Sequence, residues 1–196
     1  RKNIINNPII RIEYPIIFAE NEYFVDLVDR VLPLDAFAKF AGYYLSEGSS
    51  TATKSNYHVC VYQTPEKSIV HQAIKTTFDE MGYNYWTYFY RENDADSFTI
   101  SNKDLALFMR KHFKHGSHHK HIPSWLKNVP NKYLALLLKA LIEGDGSRRK
   151  TKLESYSYSS VSKQLVDDIQ EIAVRCGFST RMYLTLPSKT GFGKSM

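Results

Sequence analysis

Two apolar stretches with helical spacing dominate the pattern of hydrophobic and polar positions along the chain. They occupy residues 37–50 and 133–147, and in each the apolar run stops at an acid that is followed by glycine. The two acids are Glu47 and Asp145. Apolar residues that recur every three or four positions indicate a helix with one buried face. The pattern therefore predicts two similar helices, each with a carboxylate at its carboxyl end.

Small residues stand four apart just before each acid. They are Gly42 and Ser46 in the first stretch, and Ala140 and Gly144 in the second. Residues four apart lie on the same face of a helix, and small side chains on that face let a partner backbone approach closely. We therefore expect the two helices to pack against each other and to bring the two acids together.

Periodicity around the first stretch predicts the order helix, two strands, helix, two strands, helix. The predicted bounds are helix 35–47, strands 49–54 and 57–64, helix 66–81, strands 84–91 and 97–101, and helix 102–114. The same order starts again around the second stretch, with helix 131–145, strands 148–152 and 155–160, helix 162–176 and a third strand 179–186. An internal repeat of this kind indicates an α+β chain of two related halves. The second half lacks a last strand and helix, so it is either truncated or incomplete.

The segment before the first helix has a different character. β-branched residues alternate with Pro8 and Pro15, which favours extended or edge structure. Residues 21–32 have an apolar stripe that predicts a short helix. We therefore expect three segments: a lead-in over residues 1–34, a first half over 35–127 and a second half over 128–196.

Composition narrows the class of protein. The 196 residues are 43% hydrophobic and 14% aromatic, which is enough for a folded core. The formal net charge is +6, which favours a polyanionic partner, although a basic protein without a nucleic-acid role also fits. We expect Cys60 and Cys176 to be reduced, as in an intracellular protein. No apolar run approaches the roughly 20 residues of a membrane span, and the first residues lack a cleavable-signal pattern.

Four segments of the chain resemble one known family. FAGYYLSEG and LKALIEGDG resemble the two copies of the LAGLIDADG, or dodecapeptide, motif of homing endonucleases. KHIPSWL, at residues 120–126, resembles the lysine-bearing block between the motifs in the intein-encoded branch of that family. YSSVSKQLVDDIQEIAVRCGFSTRM resembles the block that follows the second motif. The resemblance covers residues 35 to about 186, and its strength lies in the order and spacing of the four segments.

The resemblance implies a fold and an activity. The implied fold has two αββαββα halves about a pseudo-twofold axis, with the motif helices at the shared interface. Each half of this fold presents an antiparallel, saddle-shaped sheet to DNA. The implied activity is cleavage of both strands of double-stranded DNA at a long, specific site by a monomer, with a divalent metal, normally Mg²⁺. The family also implies an origin within a larger intein precursor as one possibility.

The two motif acids suit such chemistry on physical grounds. Phosphodiester hydrolysis needs an attacking water and a stabilised leaving oxygen, and hard cations held by oxygen ligands supply both. Our hypothesis is that Glu47 and Asp145 are catalytic metal ligands, helped by the backbone carbonyls of Ser46 and Gly144. The alternative for each acid alone is a solvated helix end, where the helix dipole mildly disfavours a carboxylate.

Lys120 is the third catalytic candidate, and its role comes from the resemblance. It would polarise the attacking water or stabilise charge on the phosphate. The alternative is that Lys120 is an ordinary surface lysine in a basic loop. A symmetric enzyme would need a second lysine from the other half, and Lys189 and Lys194 are the nearest candidates.

The DNA-facing surface should be polar and basic, because base edges and phosphates are bound by such side chains. The first-half candidates are Lys54, His58, Tyr62, Arg91, Thr99 and Ser101. The second-half candidates are Arg148, Arg149, Lys150, Lys152, Arg181, Tyr183 and Thr185. Ordinary solvated strand faces remain the alternative for any one of them.

Residues 110–123 hold five of the seven histidines. A zinc site is one interpretation, but no cysteine is near and the spacing matches no known finger or ribbon. We favour a basic loop that lies against phosphates, with partly charged imidazoles. The histidines are His112, His115, His118, His119 and His121.

Other activities of the same family stay open on this sequence. An RNA maturase would bind a folded intron, and a catalytically decayed DNA-binding protein or transcription regulator would normally have lost one acid. The presence of both acids and of the lysine block favours a nuclease. The residues for protein splicing are absent from the sequence.

Overall fold

The computed structural model describes residues 10–91, 94–149 and 155–184, with the backbone alone for residues 10–13 and 149. The described part begins with an antiparallel four-stranded sheet in the order of the chain. Its strands are β1 (Ile10–Glu13), β2 (Ile16–Ala19), β3 (Glu22–Asp26) and β4 (Val31–Pro33).

The next part has the predicted order of helix, two strands, helix, two strands and helix. The elements are α1 (Leu34–Glu47), β5 (Gly48–Ala52), β6 (Tyr57–Gln63), α2 (Ser68–Glu80), β7 (Trp86–Tyr90), β8 (Ala95–Ile100) and α3 (Lys103–Phe113). The four strands form an antiparallel sheet in the order β5-β6-β8-β7. The side chain of Asn102 caps α3 by accepting a hydrogen bond of 2.8 Å from the backbone N–H of Leu105.

The remaining described elements start the second copy of this order. They are α4 (Ser124–Lys127), α5 (Asn131–Asp145), β9 (Ser147–Arg149), β10 (Ser155–Ser157) and α6 (Lys163–Arg175). Strands β9 and β10 pair in antiparallel fashion. The prediction of an α+β chain with antiparallel sheets is therefore confirmed. Among the described residues, no helix is both long enough and apolar enough to cross a membrane.

The core lies around the two motif helices. Phe37 and Phe40 of α1 and Leu137 and Leu141 of α5 are fully buried. The ring of Phe37 lies about 6 Å from those of Phe40, Phe108, Phe113 and Trp125. Burial of one such side chain contributes about 2 kcal/mol, so the aromatic cluster fixes the end of α1 that lies away from Glu47. Cys60 and Cys176 are free thiols, as predicted.

The short helix predicted over residues 21–32 was wrong. Strands β3 and β4 occupy this stretch, and β2 and β3 form a hairpin around Glu20 and Asn21. Both turn residues have positive φ, 52° and 64°, which is the backbone of a two-residue turn that suits the twist of paired strands. Pairing with β2 outweighed the helical spacing of the apolar residues.

The third strand predicted over residues 179–186 was also wrong for its described part. Residues 179–184 have no regular secondary structure. Met182 and Leu184, which were expected to point inward, are 48% and 92% exposed. A strand needs a neighbour for its backbone hydrogen bonds, and no β-ladder in the described part of the chain includes these residues.

Asp29 and Arg30 tie the N-terminal sheet to the first half. The guanidinium of Arg30 donates to the carbonyl of Gly82 at 2.7 Å and lies 3.7 Å from the ring centre of Tyr83. Asp29 accepts hydrogen bonds from the hydroxyl of Tyr83 at 3.3 Å and the amide of Asn102 at 3.0 Å. The sheet therefore has specific polar contacts with the loops at the far end of α2 and before α3.

Candidate nuclease site

Helices α1 and α5 are in backbone contact at Gly42. A Cβ atom at this position would lie 2.5 Å from the carbonyl oxygen of Leu137 and 2.7 Å from the Cβ of Ala140. Real Cβ atoms do not approach other atoms this closely, so no larger residue fits without a shift of the helices. The sequence-predicted pair Gly42 and Ala140 therefore lies at the helix–helix contact.

The second pair of small residues brings the helix ends together. A Cβ atom on Gly144 would lie 2.8 Å from the Cβ of Ser46. The Ser46 hydroxyl donates within its own helix to the carbonyl oxygen of Tyr43 at 3.0 Å. It also lies 3.2 Å from the carbonyl oxygen of Gly42. Because this hydroxyl turns back on α1, the ends of the two helices lie directly beside each other.

The two motif acids differ in their surroundings. The Glu47 side chain is partly buried, whereas Asp145 is exposed. Burial raises the pKa of Glu47, and repulsion from the Asp145 charge raises it further, while the charges of Lys67 and Lys120 lower it. The two carboxylates are therefore close enough to repel each other, and a cation between them would relieve that repulsion.

Lys120 lies at the end of α1 and is only 8% exposed. Its ammonium donates three hydrogen bonds to backbone carbonyls, those of Tyr44 at 2.8 Å, Leu45 at 3.1 Å and Gly48 at 2.8 Å. Burial lowers the pKa of Lys120 to about 8, against the opposing effect of Glu47 and Asp145. Lys120 thus joins carbonyls of the last turn of α1 to that of the first residue of β5, and it places a positive charge at the negative end of the helix dipole.

Helix α6 of the second half holds the segment that carries Lys120. The hydroxyl of Ser162 donates to the carbonyl of Lys120 at 2.7 Å. The buried carboxylate of Asp168 accepts from the backbone N–H of Ile122 at 2.8 Å and from the ammonium of Lys127 at 3.0 Å. The lysine predicted from the sequence is therefore fixed from both halves of the protein.

Two residues that the sequence did not single out also reach the site. The ammonium of Lys67 donates to the carbonyl oxygen of Gly144 at 2.6 Å, and the amide of Gln63 lies 3.5 Å from the same oxygen. Gln63 is only 4% exposed. Gln63 has the same parity in β6 as the buried Val59 and Val61, and a polar residue at such a position is the signal that could have identified it. The carbonyl of Gly144, predicted as a metal ligand, thus already has a cationic partner.

Tyr158 is a further residue near the acids. Burial raises its pKa first of all, and the charges of Asp145 and Glu47 raise it further. Its phenol therefore stays protonated and remains a hydrogen-bond donor at neutral pH.

An open cleft of about 210 Å³ lies beside Glu47. The other residues that line it are Tyr62, Gln63, Thr64, Lys67 and Ala95. It brings a carboxylate, an amide and an ammonium to one surface, which is a combination that suits a phosphate with an associated cation.

The DNA-binding candidates lie on several surfaces. Lys54 and Arg91 are exposed just outside the strands of the first-half sheet, and His58 and Tyr62 are partly buried in β6. Arg148 is exposed in β9, and the backbone of Arg149 follows it in the same strand. Arg181 and Tyr183 are exposed in an irregular segment and not in the expected strand. The remaining second-half DNA-binding candidates, Lys150, Lys152 and Thr185, lie outside the described residues, as do the candidates for a second catalytic lysine, Lys189 and Lys194.

The first-half sheet is less basic than expected. Its four strands contain neither lysine nor arginine. Thr99 is buried in β8, and Ser101, just after that strand, is exposed. The two basic candidates of this half, Lys54 and Arg91, therefore lie just outside the strands and not within them.

The histidine-rich run contains one packed residue. The Nδ1 atom of His112 accepts a hydrogen bond of 3.1 Å from the indole N–H of Trp125. Burial lowers the pKa of His112 to about 4, with further effects of Lys111, Lys114 and His121. Among the described residues, no group of three or more His, Cys, Asp or Glu side chains is arranged to hold a metal ion. His112 thus packs against the core residues Phe108 and Trp125, whereas the other four are surface candidates.

Comparison with known proteins gives a family match for the part of the chain that contains α5 and α6. Residues 132–195 match the family described as the LAGLIDADG-like domain. The fold is similar to the crystal structure of I-DmoI in complex with DNA and Mn, with a TM-score of 0.52 at 13% identity, over 78% of this chain and 83% of that one.

Over residues 132–195 the chain is therefore similar to the LAGLIDADG-like domain.

The matched residues include Asp145 and all of α5 except its first residue, whereas α1 and Glu47 lie outside them. A second structure, I-WcaI bound to its DNA recognition sequence, matches at a TM-score of 0.46 and 16% identity, over 74% of this chain and 68% of that one.

The sequence relatives have diverse names. The DNA polymerase II large subunit of Thermococcus kodakarensis is 28% identical over 170 residues, which is 86% of this chain and 9% of that protein. The ATP-dependent DNA helicase Hel308 of the same organism is 32% identical over 108 residues, which is 53% of this chain and 10% of that protein. The matched segment of this chain therefore corresponds to about a tenth of each of these relatives.

Proposed function

We propose that this chain is a site-specific homing endonuclease that cuts both strands of double-stranded DNA by metal-dependent hydrolysis. One observation carries the proposal: the two motif helices touch, and the charge of Asp145 acts on the partly buried Glu47. Two scissile phosphates that face each other across a minor groove need one acid from each half at such a position. The DNA complex of the structural relative I-DmoI supports the same substrate.

The donor set fits a hard divalent cation. Magnesium is usually held by one or two carboxylates together with waters and substrate phosphates. Glu47 and Asp145 supply the carboxylates, and the carbonyls of Ser46 and Gly144 are the further proposed ligands. A bound Mg²⁺ would supply an activated water and a stabilised leaving oxygen. Because the Gly144 carbonyl accepts from Lys67, this flexible side chain has to turn towards the phosphate when the carbonyl binds a cation.

The other residues of the site position these groups. Lys120 fixes the end of α1 and with it the backbone that carries Glu47. Gln63 and Lys67 come from the first half but contact the motif helix of the second half. Each catalytic centre is thus built from both halves, whose proposed bounds are residues 35–127 and 128–196. Arg148 and Arg149 follow the second motif directly and are proposed to bind DNA phosphates.

We also propose that the chain originates from an intein inside a larger precursor and acts as an intracellular monomer. The matches to a polymerase and a helicase support this origin, because in each case the similar segment is only about a tenth of the relative. If this origin is correct, the polymerase and the helicase are similar to this chain because each contains an inserted segment of the same kind, and not because they share an activity with it.

Incubation of the protein with a randomised-target plasmid library and Mg²⁺ tests the function. Linear product with short cohesive ends at one preferred sequence is the expected result, and a chelator should abolish it. Glu47→Gln and Asp145→Asn should each prevent double-strand cleavage, whereas Glu66→Gln at an exposed position should leave it unchanged. Wild-type cutting by a folded Glu47→Gln or Asp145→Asn protein would overturn the proposal.

A further inference from the structure

Strand β7 presents a row of aromatic side chains to solvent. Trp86, Tyr88 and Tyr90 are 50%, 59% and 41% exposed. They alternate along the strand and therefore project from the same face of the sheet. The rings of Tyr88 and Tyr90 lie 4.8 Å apart in an edge-to-face arrangement. Exposed aromatic groups of this size commonly mark a binding surface.

The register of the sheet adds Tyr62 to this row. Tyr62 pairs with Ser97, which pairs in turn with Tyr88, so all three lie on one face. The rings of Tyr62 and Tyr90 lie 6.0 Å apart. We call the surface formed by Tyr62, Trp86, Tyr88 and Tyr90 the aromatic face. The neighbouring residues of opposite parity, such as Val61 and Phe98, are fully buried on the core side.

The polar groups beneath the aromatic face already have partners. Ser97 and Thr99 lie between the rings and are 1% and 5% exposed. Their hydroxyls lie 2.7 Å apart, and the thiol of Cys60 lies 3.3 Å from the Thr99 hydroxyl. Because these hydroxyls bond one another, the floor between the rings offers a ligand few free polar groups, and the faces of the rings are apolar.

The aromatic face continues into the cleft beside Glu47. Tyr62 lines that cleft, and so does Ala95, which pairs with Tyr90 in the sheet. DNA that places a phosphate in the cleft would therefore run over the aromatic face. The cations Lys54 and Arg91 stand just outside the strands, where the duplex backbone would pass.

The chemistry of this face selects one feature of duplex DNA. Arginine or lysine reads guanine, and asparagine or glutamine reads adenine. The aromatic face presents no side chain of these four types. The apolar group in the major groove is the 5-methyl of thymine. We propose that the aromatic face reads thymine methyl groups in the half-site that adjoins Glu47. This inference rests on the proposed endonuclease function and names the specificity of its first half.

Deoxyuridine provides the direct test, since it lacks only the methyl group of thymidine. A target selected from the randomised library is resynthesised with deoxyuridine in one half-site at a time, and binding is measured in Ca²⁺ to prevent cleavage. Replacement in one half-site should weaken binding about four-fold for each contacted methyl, which corresponds to the burial of one methylene group. Replacement in the other half-site should have little effect.

Substitutions on the two faces of β7 complete the experiment. Tyr88→Ala, and in a second protein Trp86→Ala, should bind thymine and deoxyuridine targets equally. Phe89→Ala is the matched control, because Phe89 is 44% exposed in the same strand but has the opposite parity. This control should retain the wild-type preference for thymine. Thermal melting of each variant verifies that it is folded.

The outcomes separate this inference from the function on which it rests. A library that yields no bound or cut target overturns the proposed function and this inference with it. A selected target that wild-type protein binds equally well with thymine or deoxyuridine in both half-sites overturns the inference alone. Preference for single-stranded over duplex target, or a change from dimer to monomer on Tyr88→Ala, would also overturn it, because the rings would then stack on unpaired bases or join two copies.

Discussion

The ammonium of Lys120 donates a hydrogen bond of 2.8 Å to the carbonyl oxygen of Tyr44, one turn before the motif acid of the first half. With two further carbonyls it uses all three of its N–H groups. A lysine in this position is a donor and has no lone pair for a proton. From this geometry we expect Lys120 to be charged and to hold the end of α1. The same geometry argues against a role for Lys120 as a neutral base.

The rate of DNA cleavage should fall as pH rises through about 8, because burial lowers the pKa of Lys120 to about 8. Each further pH unit should cost about ten-fold once the lysine is neutral. Stability should change in the opposite direction, since the unfolded lysine keeps its proton up to about 10.5 and the unfolded state therefore binds more protons in this range.

Initial cleavage rates and urea unfolding between pH 6.5 and 10 would measure both effects. Lys120→Arg retains the charge at every pH in this range and should remove the fall in rate near pH 8. A wild-type rate that increases through pH 8 would show that the neutral amine is the active form.

Glu47→Gln should make the apoprotein more stable at pH 7 while it abolishes double-strand cleavage. Burial and the repulsion of Asp145 raise the pKa of Glu47, so its ionised form is unfavourable in the fold. The loss of stability is absent below the ordinary pKa of about 4.5. It develops as pH rises from that value to the raised pKa, and it is complete above the raised pKa. We expect the variant to be more stable than the wild type at pH 7 and to differ little from it at pH 4.

Denaturant unfolding of the metal-free protein at both pH values would test this difference. Glu66→Gln, at an exposed position, should show no gain at either pH. An equal or lower stability of Glu47→Gln at pH 7 would contradict the repulsion between the two acids.

Gly42→Ala should destabilise the protein by about 2 kcal/mol, the usual cost of an overpacked core. The new Cβ would meet the carbonyl oxygen of Leu137 and the Cβ of Ala140. Adding Ala140→Gly removes only the second contact, so the double variant should recover part of the loss. Full recovery in chemical unfolding would show that the Leu137 backbone can move away.

Acid should destabilise the protein through His112. Burial lowers the pKa of His112 to about 4, whereas the unfolded residue titrates near 6.5. The neutral ring contributes fully above pH 6.5, and the contribution is lost as pH falls from 6.5 towards 4, because the unfolded state then binds the extra proton. After allowance for its partial exposure, we expect a loss of about 2 kcal/mol.

His112→Asn keeps an acceptor for the indole N–H of Trp125 but does not titrate. Its stability should vary less between pH 6.5 and 4 than that of the wild type, whereas His115→Asn in the exposed loop should retain the wild-type dependence. Parallel curves for all three proteins would exclude His112 as the source.

The motif helices were predictable because their information is local. The apolar spacing, the small residues and the terminal acid of α5 lie within one 15-residue element, and its observed bounds, Asn131–Asp145, equal the predicted ones. The hairpin turn at Glu20 and Asn21 is also a local feature, and asparagine is a common turn residue. The prediction nevertheless followed the apolar stripe with helical spacing that begins at the same place. The helical interpretation of residues 21–32 failed because pairing between strands is a property of neighbours and not of one segment.

The contacts of Gln63 and Lys67 could not be predicted in the same way. Both donors belong to the first half, and their acceptor is the carbonyl of Gly144, 81 and 77 residues further along the chain. A backbone oxygen has no side-chain identity that a sequence pattern could indicate. The aromatic face escaped prediction for a related reason, since Tyr62 and Tyr90 become neighbours only through the pairing of both with β8.

The polar contacts of Asp29 and Arg30 have a consequence for protein engineering. A cassette excised at Asp35, where the family resemblance begins, would leave Tyr83 and Asn102 without their acceptor and would remove the strands that cover α1. A transplantable version of this nuclease candidate should therefore start before β1, and its shortest soluble form is set by a sheet that lies outside the family motifs.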